Sequence, residues 1–110
     1  MLAFGAEGQF IKMFTHYAEQ WHLRRGKLKI PVKIIYNEKI RKSKSKVKFP
    51  LLQMRFNSTV QDTPSTTWIF GDKVAIVVWS EQPVATLIRS KEVAKSYRQF
   101  FEVIWKDSKN

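Results

Sequence analysis

From residue 27 to residue 36 the chain alternates with period two. Leu28, Ile30, Val32, Ile34 and Tyr36 fall on one side of an extended backbone, and Lys27, Lys29 and Lys33 on the other. That spacing predicts a strand with one face buried. Pro31 has no N–H to give to a ladder, so the strand either starts after it or lies at an edge there. Upstream the period changes. Phe10, Phe14, Tyr17, Ala18 and Trp21 recur three and four residues apart, which predicts an amphipathic helix over 7–25. Gly26 is placed to stop that helix, and Arg24 and Arg25 suit the negative end of its dipole. The short apolar run at 2–6 fits a strand. Residues 39–48 show no period and predict a loop. Alternation returns at 51–57, with Leu52, Met54 and Phe56 inward, before the turn-rich NSTVQDTPS.

The second half is punctuated more sharply. TTWIF and KVAIVVWS flank Gly71-Asp72, a two-residue hairpin in which glycine supplies positive φ for a type II′ turn or the pair together forms type I′. The apolar run at 74–79 predicts a central strand covered on both faces. A turn at Glu81, Gln82 and Pro83 leads to VATLIR. Ser90 then caps a helix over 91–106 whose buried face carries Val93, Tyr97, Phe100, Phe101 and Ile104. The order β, α, β, loop, β, β, β, β, α implies an α/β or α+β fold: a mixed, mostly antiparallel twisted sheet flanked by helices. At 110 residues the chain is one domain, 1–110, with a single core.

With 44% apolar and 14% aromatic residues, the composition excludes extensive disorder. The absence of cysteine removes disulfides and thiolate chemistry. MLAFGAEGQF lacks the basic start and apolar core of a secretory signal. No window reaches the roughly 18 apolar residues of a membrane span, so a cytoplasmic protein with no membrane partner is expected.

Charge changes the picture more. Between residues 22 and 48 there are eleven cations and one acid, Glu38, a net of +10 within a whole-chain total of +11. Such asymmetry suggests an anionic partner. The candidate contacts are Arg24, Arg25, Arg41, Lys42, Lys44, Lys46 and Lys48. RKSKSKVK has no aromatic interleaving for base stacking and no helical period for groove entry. It fits a solvated loop, or an accessory phosphate contact that is indifferent to sequence and sensitive to salt.

His16 and His22, six apart, diverge by roughly 120° on a helix and make a poor metal pair. No metal or other cofactor is expected, since no phosphate-cradling glycine loop and no nucleophile–base pair occurs. Trp68, Trp79 and Glu81 have two roles open to them: core or dimer packing, or the lining of a small-molecule effector cleft.

YAEQWHLRRGKLKIPVKIIYNE and IFGDKVAIVVWSEQPVATLIRSKEVAKSYRQFFEVIWK occur in that order and together cover most of the chain. They resemble the TrmB-like family of archaeal transcriptional regulators. The resemblance implies the effector region of such a regulator, with a phospholipase-D-like half domain and without the winged helix that binds DNA. Active members of the phospholipase D superfamily carry His-x-Lys-x4-Asp. Laid on Asp72-Lys73-Val74, those positions fall on Pro64, Thr66 and Gly71, so no catalytic residue is expected. The implied function is a non-catalytic regulatory module acting by homodimerisation and effector binding. It would meet DNA through a winged-helix domain or weakly through its basic segment. The alternative is a small basic protein that binds nucleic acid directly and non-specifically through residues 24–48.

Overall fold

The computed structural model describes residues 1–6, 20, 23–38, 41, 51–58 and 65–110. Among them six strands form one mixed sheet: β1 (Leu2–Ala6), β2 (Val32–Asn37), β3 (Leu52–Asn57), β4 (Ser65–Phe70), β5 (Lys73–Val78) and β6 (Val84–Arg89). A helix, α1 (Lys91–Lys106), follows β6. The strand order is β3-β2-β1-β4-β5-β6. β1–β2 and β2–β3 are parallel, and the other three pairings are antiparallel. A parallel pair needs a crossover, and between β1 and β2 residues 20 and 23–27 are helical. The rest of the expected helix over 7–25, and residues 42–48 of the expected loop, lie outside the described residues.

That first helix does not stop at Gly26. It continues through 27, and Lys29 takes the left-handed conformation at φ 57°. The bonds Ile30 N–H to Arg25 O and Lys29 N–H to Gly26 O, both 3.0 Å, close it in a Schellman arrangement with a lysine where glycine is usual. Leu28 and Ile30 therefore sit in the helix exit, both exposed, and β2 begins only after Pro31. The apolar alternation across 27–36 mixes a helix end with a strand.

The two faces of the sheet hold separate clusters. Ala3, Val32, Ile34, Tyr36 and Phe56 pack on one face, with Leu52, Met54 and Trp68 at their margin. On the other, Ile35, Ile69 and Val74 meet Ala94, Phe101 and Trp105 of α1. β2 is thus buried on both faces rather than half-buried, as its parallel neighbours on either side require. β5 shows the reverse. Val74 is buried beneath α1, but Ala75 and Val77 on the opposite face are only half-buried and Val78 is exposed. The strand covered on both sides is β2, not the 74–79 run.

Local chemistry at the hairpin and the last helix follows the sequence. Gly71 has φ 59° and Asp72 no positive φ, which selects type II′. The Ser90 hydroxyl accepts from Val93 N–H at 3.2 Å, and Glu92 lies in the first turn. Phe100 departs from expectation: it is 58% exposed, one step off the Ala94–Phe101–Trp105 stripe, and meets Tyr97 edge-on at 5.9 Å.

Candidate functional site

The structure divides the candidate residues among three places. Trp68 and Trp79 share the sheet face opposite α1, because 66, 68 and 70 on β4 lie across from 77, 75 and 73 on β5, and 79 continues that parity. The Trp79 indole N–H donates to the Thr66 hydroxyl at 2.9 Å. This anchors the ring over β4 and satisfies a buried hydroxyl that would otherwise carry a desolvation cost. Beside the tryptophans lie Ala75 and Val77, half-buried, and Leu87 of β6, exposed. Glu81 projects from the exposed turn that follows Trp79, where the Ser80 hydroxyl donates to Gln82 O at 2.8 Å. The two indoles therefore form an apolar shelf with a carboxylate beyond its end.

The three basic candidates among the described residues, Arg24, Arg25 and Arg41, stand in different surroundings. Arg24 is exposed at the helix end, with Lys27 and Lys29. Arg25 is placed where a surface anion does not reach it: it is 3% exposed. Its Nη1 donates to Ile30 O at 2.6 Å and Leu51 O at 3.3 Å, tying the helix end to the start of β3. Burial pulls its pKa down from the usual guanidinium range. Arg41 forms a two-point contact with Glu38, Nε to one carboxylate oxygen and Nη2 to the other, the latter at 3.0 Å. Its Nη1 donates to Asn110 O at 2.6 Å, and its guanidinium lies 4.5 Å from the Phe56 ring centroid. The hydrogen bond from Arg41 is the main cause that holds the Glu38 carboxyl below the usual range. Lys42, Lys44, Lys46 and Lys48 lie outside the described residues, as do His16, His22 and Pro64.

The third place was missed from sequence. At the carboxyl ends of parallel β2 and β3 a cleft of about 430 Å³ is lined by Glu38, Phe56, Asn57, Ser58, Asp107 and Lys109. Crevices at such strand ends are common ligand sites in α/β sheets. Here its polar groups bind one another. Asn57 Nδ2 donates to Ser108 Oγ at 3.1 Å and Asp107 Oδ2 at 3.4 Å. Phe56 and Lys109 exchange backbone hydrogen bonds at 2.7 and 2.9 Å. The cleft works as a latch for the carboxy-terminal segment. The only advance signal was an Asn ending each of the two strands, too common to select.

Beside it Trp105 is flanked by two cations, Arg55 at 4.4 Å and Lys33 at 5.3 Å from the ring centroid. Arg55 Nη1 also donates to Trp105 O at 2.8 Å. These charges suit the negative end of α1. Among the described residues no group of three or more His, Cys, Asp or Glu is placed to hold a metal ion, and no helix is long and apolar enough to cross a membrane.

No protein-family model matches the chain, and neither a curated protein nor a solved structure matches it to significance.

Proposed function

We propose that the chain is a non-catalytic regulatory module of the kind found in TrmB-like transcriptional regulators, working by self-association and by binding a small effector on the Trp68–Trp79 shelf. The observation that carries this is the fate of the position where a phospholipase-D-like enzyme keeps its phosphate-binding lysine. It is Thr66, buried, with its hydroxyl taken by the Trp79 indole. Gly71, in the place of the motif's aspartate, is a turn residue shaped for φ 59°. At these two positions the chain has a buried, hydrogen-bonded threonine beside the aromatic shelf and an exposed turn glycine, residues suited to contacts and not to chemistry.

The experiment follows tryptophan fluorescence of the purified chain during titration with a panel of small metabolites, alongside a phosphodiesterase assay. A saturable change lost in Trp79→Phe supports the effector shelf. Phosphodiesterase turnover by clean protein would overturn the non-catalytic reading.

A second reading, direct nucleic-acid binding, is favoured by the exposure of Arg24, Lys27 and Lys29 together at the helix exit. Anisotropy with random duplex DNA and RNA at about 50 and 200 mM salt separates the two. Micromolar binding abolished by replacing Lys42, Lys44, Lys46 and Lys48 with glutamine would favour the second reading.

A further inference from the structure

The two edges of the sheet are finished differently. β3 is held at Phe56 by the carboxy-terminal segment, through the paired hydrogen bonds of Phe56 and Lys109. β6 ends the strand order, and residues 84–87 are exposed. The alternation of an antiparallel ladder tells which of its backbone groups are left over. Ser90 N–H donates to Asp72 O at 2.8 Å, so 90 and 72 form a hydrogen-bonded pair. Every second pair inward does the same: Ile88 with Val74, Thr86 with Ile76, Val84 with Val78. The N–H and C=O groups of Ala85, Leu87 and Arg89 therefore point away from β5.

Edges of this kind are usually blunted by lysine, proline, a bulge or a covering loop. Among the described residues β6 has none of these along its length. Its sequence is VATLIR, its one charge is at the last position, and its register with β5 runs through six pairs without a shift.

We propose that β6 is a self-pairing edge, through which two copies of the chain join antiparallel about a two-fold axis normal to the sheet. This deepens the self-association part of the function read above and rests on it, by naming the surface. The occupant is a second copy because the strand is complementary to itself. A two-fold normal to the sheet carries each face onto itself, so residues directly opposite share a face. Centred on Thr86, Val84 meets Ile88 of the partner on the face that carries α1, Ala85 meets Leu87 on the other face, and Thr86 meets itself.

The same symmetry sets the turn that precedes β6 in one copy, with Glu81, beside the end of β6 in the other, where Lys91 opens α1, twice over. Glu81 is exposed and makes no ion pair among the described residues. Parallel pairing would instead stack Glu81 on Glu81 and Arg89 on Arg89. A six-residue edge alone falls short of the roughly 800 Å² per partner of a standard interface. Val84 and Leu87, 59% and 61% exposed, put apolar side chains on both faces of that edge. The pair should accordingly be micromolar and concentration-dependent.

Sedimentation across a concentration series tests this, with 13.0 kDa as the monomer mass. The wild type is expected to pass from monomer to dimer. Leu87→Pro deletes an outward N–H without touching the bonds to β5, and should leave circular dichroism unchanged while abolishing the dimer. Glu81→Lys should weaken pairing about tenfold, and Glu81→Lys with Lys91→Glu should restore it, an outcome that mere misfolding does not produce. A monomer at every concentration overturns both the edge and the self-association reading. A dimer indifferent to Leu87→Pro and to the charge exchange overturns the edge alone and leaves self-association through another surface. Effector and DNA results bear on neither outcome.

Discussion

Two glycines with positive φ meet different surroundings, and that difference can be measured. At Gly5, φ 77°, an added Cβ would lie 2.7 Å from the Ser65 carbonyl oxygen, backbone against backbone at the irregularity in the β1–β2 ladder. At Gly71, φ 59°, it would meet nothing within 4 Å. Gly71→Ala should therefore cost only the left-handed strain, about 1 kcal/mol. Gly5→Ala should cost that plus a displaced strand, about 3 kcal/mol or more, in urea unfolding. Gly71 was legible beforehand because a two-residue turn demands it, whereas Gly5 was not, because its neighbour comes from sixty residues away. Arg25 and Arg41 make the same point about the site: composition shows that a cation is present, but the carbonyls and the carboxylate that take it up are set by the fold. Tyr36 gives a test by titration. Burial raises its pKa to about 12, above the ~10 of an unfolded tyrosine. The unfolded chain loses this proton first, so the stabilisation is complete below pH ~10 and is lost as pH rises toward 12. Tyr36→Phe should flatten that part of the stability profile by up to about 3 kcal/mol. Phenolate absorbance should show one tyrosine titrating late, and a normal pKa for all of them would contradict the burial.

The strands were legible as elements, β1 and β3 among them, but their pairing was legible only where local chemistry marks it. The hairpin and α1 carry their own punctuation, a turn glycine and an N-cap serine, and both appear where the pattern placed them. The parallel β1–β2–β3 half has no local mark, since its register depends on a crossover. Apolar runs also mislead about cover: β5 is richer in hydrophobic residues than β2, yet β2 is the strand buried on both faces. On α1 adjacent phenylalanines read alike in sequence and differ in the fold. Phe101 is fully buried between Phe4, at 6.5 Å, and Trp105, stacked at 5.6 Å, while Phe100 faces outward. Phe101→Ala should destabilise by about 4 kcal/mol. Phe100→Ala, measured at concentrations where the chain is monomeric, should cost less than about 1 kcal/mol. Equal losses from the two would mean that α1 is rotated from the position described.

At the scale of the whole molecule, the proposed association would follow from one edge of the sheet being latched at Phe56 and the other bare. The latch is small: the Phe56–Lys109 backbone pair, the Asn57–Ser108 hydrogen bond and the Arg41 contact with Asn110. Removing residues 108–110 deletes all of these and bares the outward N–H and C=O groups of Phe56 on β3. Unpaired backbone groups at an edge are a template for another strand, and a sheet open on both sides can add copies without closing. The net charge of +11 opposes such growth by mutual repulsion, and salt screens that repulsion. The shortened chain should lose about 2 kcal/mol of stability. Light scattering should show it assembling beyond a dimer, faster in high salt than in low salt. The intact chain should show neither behaviour. If the truncated protein stays at the size of the intact one as salt is raised, the carboxy-terminal segment is not what keeps the β3 edge closed.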